Sequence, residues 1–518
     1  MQKKSIRNKI RQVWQENRFL MRPFLVLFAI YLLGISAILL AGVHYADDVA
    51  RTEQGYAGWS GFSRYLSTIL SYGLHADAYL TNIAPLPQLL AVAIVSVASL
   101  MVICVVSGKE VFQEKWTKWI LRVIAVVPLG LCPYILECLS YQYDSVYMAL
   151  SIMFAVMPLL FRKCRVGYVL ATTIGILVVC MTYQASIGIY PILVIMVAMK
   201  EWASKKKTNW KELGKFVGLS VLSFALTVLV FKVFLMTPRE VYASNAVPGI
   251  GEFFPAFFAH LGQYFELVIS DFRLMWLVLM GVVAIIFIVV FTMASKQNKI
   301  VSGLIGIIGM IMMAVMAYAM YSALEKPLYT TRAMYAIGAW VAVMSVYIVT
   351  KITIPTSNWH RCGAWRALMA APIVLLSWCW FVFGFTYGNA LAEQNEYRDN
   401  QVAMVMNDLN KILVNLGNGS KIIQVDGQIG WAPAIKNTPE ERYRILRRLL
   451  KPSFGTDVPW MGFEITLGTG IEGLVFNENV DLNQRDLPLI EETALYNIYG
   501  DKTGVLVKFK GEEFGLEF

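Results

Sequence analysis

The sequence predicts a polytopic α-helical membrane protein of about eleven spans followed by a small α/β domain outside the membrane. Three observations carry that reading. Hydrophobic residues make up 57% of the 518 positions and charged residues only 15%, which excludes an ordinary soluble chain. Apolar windows long enough to cross the ~30 Å hydrocarbon layer as helices recur up to residue 388. The loops between them alternate between basic and acidic, the signature of chains threaded back and forth across a bilayer.

The windows fall at 23–43, 84–106, 119–136, 145–161, 166–182, 184–199, 216–236, 274–294, 300–321, 334–350 and 367–388. One set of connections holds the basic segments: residues 1–22, "GKEVFQEKWTKW", "RKCR", "KEWASKKKTNWKELGK", "SKQNK" and "KITIPTSNWHRCGAWR". Basic loops are retained in the cytoplasm, so the N-terminus is expected inside. The other set carries Asp47, Asp48, Glu137, Asp144, Glu240, Glu252, Asp271 and Glu325 and is expected outside, together with everything after 388. The net charge of +10 reports this topology and contact with anionic headgroups; nucleic acid is not needed as a partner. The first apolar run is too long for a cleaved signal peptide and reads as a signal anchor. Seven cysteines lie in or near the spans and four histidines are scattered, so neither a disulfide scaffold nor a zinc-type ligand spacing is expected.

Beyond 388 the composition turns polar. "KIIQVDGQIGW" alternates like a strand, Thr438 and Glu441 in "TPEERYRILRRLL" form a capping-box pattern for a helix, and "TGVLVKFKGEEF" alternates like an edge strand. Residues 389–518 are therefore expected to form the extracytoplasmic α/β domain. Its Trp431 and Trp460 are candidates for the core of a small domain or for stacking on a ring-shaped ligand.

The first outer loop, 44–83, holds the adjacent acids in "HYADDVARTEQGYAGW". Asp47 and Asp48 sit where acids offset a helix dipole, with Arg51 placed for an ion pair. Further along, Trp59, Phe62, Tyr65, Leu66, Ile69, Leu70 and Tyr72 give an apolar face opposite Ser60, Arg64, Ser67, Thr68 and Ser71, a helix expected to lie on the membrane surface. Other chemistry on the same side comes from Glu137 and Asp144 in "ILECLSYQYDS", Tyr183 and Gln184 in "MTYQAS", and Arg332 in "EKPLYTTRAMY". Each has a plain alternative: capping or pairing for the acids, an interhelical hydrogen bond for Gln184, snorkelling for Arg332. An arginine on the side where basic residues are sparse also suits an anionic partner such as a lipid phosphate. The aromatic segment "EFFPAFFAHLGQYF" is a candidate interfacial helix or lid.

"YADDVARTEQGYAGWSGFSRYLSTIL", "NIAPLPQLL", "LSYQYDS", "TYQAS" and "TTRAMY", in that order, resemble the membrane glucosyltransferases of the serotype-converting Gtr type and their Gram-positive relatives, over roughly residues 25–390. The resemblance implies a GT-C-like glycosyltransferase domain, 23–388, in a bacterial cell membrane. It would use an undecaprenyl-type polyprenyl-phosphate sugar, glucose by resemblance, and an envelope glycan acceptor. The acids matching the family's first-loop motif are Asp47 and Asp48. An acceptor hydroxyl must lose a proton as it attacks, which a carboxylate can take; the departing lipid phosphate needs a cation, for which Arg332, then Arg64 and Arg239, are the candidates. Glu137, Asp144, Tyr183 and Gln184 are supporting candidates. Which aspartate is the base stays open, because helix neighbours point about 100° apart. Magnesium or manganese held by Asp47 or Asp48 with Glu137 or Asp144 is a further candidate; no other cofactor is implied. A lipid-linked sugar flippase would also account for many spans, but it calls for broken helices or repeats around midplane polar residues, whereas the acids here gather at one side.

Overall fold

The computed structural model describes residues 17–237, 246–249, 251–353, 363–415, 422–437, 440–450, 455, 462–463, 467 and 481–510. Among these, eight helices are long and apolar enough to cross a membrane: Leu86–Ser107, Arg165–Thr182, Gln184–Ser204, Trp210–Leu235, Leu274–Ala294, Lys299–Met316, Thr331–Thr353 and one starting at Gly363. The chain is a multi-pass membrane protein. The other three expected spans are interrupted, each at an identifiable place.

The first divides into Met21–Gly34 and Ser36–Ala41 at Ile35, which leaves helical geometry. The last long helix crosses here at very short range. A Cβ on Gly384 would collide with the Gly34 carbonyl, and one on Gly388 would lie 2.5 Å from Ala37. Small residues spaced four apart let helix backbones approach in this way. The segment expected at 119–136 ends its first helix at Val126, and a short helix Pro128–Leu131 follows. Pro128 lacks the N–H that would continue the ladder, and Pro133 stops the next turn. The segment at 145–161 is helical over Ser145–Val156 and then tightens into a 3₁₀ turn containing Pro158.

Burial sorts the spans into layers. The apolar window of Thr331–Thr353 is wholly enclosed, whereas those of Trp210–Leu235 and Lys299–Met316 are only 22% buried. Leu222, Leu226 and Leu229 on one, and Leu304, Ile308 and Ile311 on the other, face outward. In hydrocarbon that surface is solvated, and the helices keep their backbone polar groups satisfied internally.

The last helix, Gly363–Asn415, is 53 residues long, about 80 Å at 1.5 Å per residue, and runs straight through the compositional boundary at 388. Its far end, Val405, Met406, Leu409 and Ile412, packs on a four-stranded sheet. The strands β1 (Ile422–Asp426), β2 (Leu489–Glu492), β3 (Tyr496–Gly500) and β4 (Gly504–Phe509) lie in the order β1-β4-β3-β2. The expectation of an edge strand for "TGVLVKFKGEEF" is corrected: β4 is central, parallel to β1 and antiparallel to β3. Its Val505, Leu506 and Val507 are all buried and only Lys508 is exposed, so its apolar centre is covered on both faces, and β2, exposed along its length, forms an edge. The basic helix Glu440–Leu449 forms as expected, although its capping residue Thr438 lies outside the described residues. Its Ile445, Leu446, Leu449 and Leu450 join the core of the membrane bundle rather than that of the sheet. Trp431 packs against the same core, and Trp460 lies outside the described residues.

The first loop folds as a short helix, Asp48–Gln54, ended by Gly55 at φ +64°. A side chain there would strike the Tyr79 ring, so the left-handed turn and the close ring both require glycine. After a 3₁₀ turn comes the helix Tyr65–His75. Its Ser67 and Ser71 face the protein, and Ile69, Leu70 and Tyr72 are exposed, the outward apolar stripe of a surface-lying helix. Phe253–Asp271 behaves alike: Leu261, Tyr264 and Val268 point inward while Phe254, Phe258 and Ile269 are exposed.

Candidate active site

The two first-loop aspartates have opposite surroundings. Asp48 is fully buried and its carboxylate accepts three backbone N–H groups, from Gln142 (2.7 Å), Tyr45 (3.3 Å) and Tyr143 (3.3 Å). It pins the first loop to the Tyr141–Asp144 turn. Asp47, at the N-cap position of the Asp48–Gln54 helix, has a side chain 42% exposed and, among the described residues, a single long contact, 3.9 Å, with Arg51. The helical offset between neighbours thus sends one acid inward and leaves the other part-exposed.

Asp144 is also engaged. One oxygen takes Arg51 Nη1 at 2.6 Å and the other the Trp59 indole N–H at 2.5 Å. The Arg51 guanidinium lies 4.6 Å over the Trp59 ring, a buried cation held by one full charge and a π face. The expected Arg51 ion pair exists, but its short partner comes from 93 residues away.

Glu137 is buried and accepts from the Thr331 hydroxyl and, at 2.6 Å, the Arg332 backbone N–H. It satisfies the first-turn donors of the enclosed helix, where a negative charge also meets the positive end of the dipole. The Arg332 guanidinium lies 3.6 Å from the same carboxylate and donates to the Tyr141 hydroxyl. The Tyr183 hydroxyl donates to the Arg332 carbonyl at 3.1 Å. Arg64 lies 4.6 Å over the Tyr183 ring and donates to Gln184 Oε1 at 3.4 Å; Gln184 in turn donates to the Phe62 and Cys180 carbonyls. The structure gathers these residues into two polar clusters, one of Asp47 and Asp144 on Arg51 beside Asp48, the other of Glu137, Tyr183, Arg64 and Gln184 around Arg332, which meet where the Tyr45 ring packs on Tyr141; Arg239 lies outside the described residues. The charges of Arg332, Glu137 and Asp47 all bear on the buried Tyr141.

Three of the four carboxylates expected to share a divalent ion already have other partners. Asp48, Asp144 and Glu137 are each committed to N–H, guanidinium or hydroxyl partners, and no group of three or more metal-type ligands converges among the described residues.

Sequence reasoning missed Arg51 as the buried hub, Tyr141 as the group shared by acid and cation, and a contact between Asp271 and Arg448. The "SYQYD" tyrosines flanking Asp144 were the available signal for Tyr141. Nothing in the spacing linked residue 271 to residue 448.

Burial, and next the nearby Asp144 charge, push the Asp48 carboxyl up to about 8, against the offsetting Arg51 charge and backbone N–H groups. From the ordinary carboxyl value of about 3.9 up to that value, the folded state holds more proton than the unfolded one. Stability from this group is then greatest at low pH, falls as pH rises through the window, and levels off above it. In detergent, Asp48→Asn is expected to flatten the decline in Tm between pH 5 and pH 8. An undiminished decline in the variant would refute this assignment.

A multi-span helical bundle with a carboxylate-guanidinium network gathered at one end defines an integral membrane protein with a polar site of its own. Residues 36–376 match the glucosyl transferase GtrII family, and the chain belongs to that family. The chain is also similar to an uncharacterized 55.3 kDa protein in the gtrB 5′ region of Salmonella phage P22, 23% identical over 189 residues, 35% of this chain and 37% of that protein's length. No solved structure matches.

Proposed function

We propose that this protein moves glucose from an undecaprenyl-type polyprenyl phosphate to an envelope glycan on the outer face of a bacterial membrane. The observation that carries the reading is a part-exposed carboxylate, Asp47, two residues from the Tyr45 ring that packs on Tyr141, whose hydroxyl accepts from the Arg332 guanidinium. Asp47 takes the proton of the acceptor hydroxyl as its oxygen attacks the anomeric carbon. The new carbon-oxygen bond forms as the bond to the lipid phosphate breaks, and the electron pair leaves with the phosphate. Arg332, with Arg64 behind it, stabilises the charge that accumulates there. A single displacement of this kind inverts the anomeric centre. The alternation of basic and acidic loops supports the outer-face assignment, where nucleotide sugars are absent and a lipid-linked donor is required. The spans support a GT-C-like arrangement, with the sheet domain on the same outer side.

The test is incubation of the protein in liposomes with acceptor glycan and radiolabelled glucose on either synthetic polyprenyl phosphate or uridine diphosphate. Label is expected in glycan from the lipid-linked donor alone. Transfer from the nucleotide donor by itself would overturn the donor assignment, and movement of lipid-linked label across the bilayer without transfer would make the protein a flippase.

A further inference from the structure

We infer that the helix Glu440–Leu449 is a clasp over the active site and that Arg448 is a positioning residue for transfer, an inference that rests on the proposed reaction. Arg448 forms an ion pair with the buried Asp271, which also accepts the Tyr134 hydroxyl at 2.7 Å. The other guanidinium nitrogen donates to the Tyr329 carbonyl and lies 3.9 Å from Met334 Sδ. One residue on, the Leu449 carbonyl accepts the Tyr45 hydroxyl at 2.6 Å.

The consequence lies in where those partners sit. Tyr45 is two residues before Asp47, and its backbone N–H helps hold Asp48. Its ring packs edge-on against Tyr141 at 5.0 Å. Tyr329 is three residues before Arg332, and Met334 is in the same short helical turn. A single helix end, Arg448–Leu449, therefore fastens both the acid-bearing loop and the cation-bearing turn. Ile445, Leu446, Leu449 and Leu450 anchor that end in the bundle core. Charge and planarity suit arginine here, because one guanidinium serves a carboxylate and a carbonyl at once. The family match ends at residue 376, so this clasp comes from a part of the chain that the match does not reach.

The experiment uses the full chain in nanodiscs, comparing wild type, Arg448→Met, Arg448→Lys and Tyr45→Phe. It reads hydrogen exchange at 45–48 and 329–334 together with kcat and donor KM. Arg448→Met is expected to speed exchange in both segments and lower kcat by about 10²-fold, as loss of alignment does, with donor KM little changed and partial recovery in Arg448→Lys. Exchange confined to 440–450 with kcat unchanged would overturn the clasp. Should Arg448→Met fail to fold, Tyr45→Phe carries the test: coupled loosening of 440–450 and slower transfer support the clasp, and no change in either overturns it. If wild type transfers nothing, the proposed reaction fails, and the exchange pattern still decides whether the helix end fastens the two segments.

Discussion

Asp47→Asn is expected to lower kcat by about 10³-fold, within the range seen when a general base is lost, while leaving Tm close to that of wild type. The exposed side chain has one long contact, and Arg51 keeps its short bond to Asp144, so the fold loses little when the charge is removed. Asp48→Asn has the opposite profile. Its amide would turn N–H toward an oxygen site built from backbone donors, leaving buried groups unsatisfied at a cost of about 1–3 kcal/mol each. Reduced Tm and yield are expected before any specific loss of transfer. Donor turnover and Tm measured side by side separate the two aspartates. Wild-type turnover by Asp47→Asn would remove it as the base.

Arg332→Gln is expected to reduce kcat by about 10²- to 10³-fold, the scale seen when a preorganised group facing developing charge is removed. Arg332→Lys should recover only part, since a flexible, strongly hydrated ammonium lacks the rigid planar guanidinium whose Nη1 sits between Glu137 and Tyr141. Glu137 keeps the Thr331 hydroxyl and the Arg332 backbone N–H in either variant, which preserves the start of the enclosed helix. The loss should therefore appear in turnover more than in Tm. Unchanged turnover in both variants would show that Arg332 serves only the fold, and the phosphate role would pass to Arg64 or Arg239.

The spans were readable because burial in hydrocarbon imposes a compositional rule on every residue of a helix. Interruptions were harder to see. Pro128 and Pro158 mark two of the breaks in plain sight, but the break at Ile35 sits beside Gly384 and Gly388, whose approach depends on how two distant helices cross. In the C-terminal sheet, alternation in "TGVLVKFKGEEF" suggested an edge, whereas β4 sits between two partners. A strand pattern reports which side chains are apolar and says little about how many neighbours the backbone has.

The site divides in the same way. Sequence alone determined that this is a membrane protein, where eight of its spans lie, and that Asp47, Asp48, Glu137, Asp144 and Arg332 are worth attention, because charge is scarce in such a chain and its position is conspicuous. Only the tertiary structure decided that Asp48 is spent on backbone N–H groups, that Asp144 neutralises Arg51, and that Asp47 is left open. It alone joined Arg448 to Asp271 and Leu449 to Tyr45. The reason is physical: whether a carboxylate is a staple or a base depends on which donors reach it, and those donors come from segments the chain brings together only by folding.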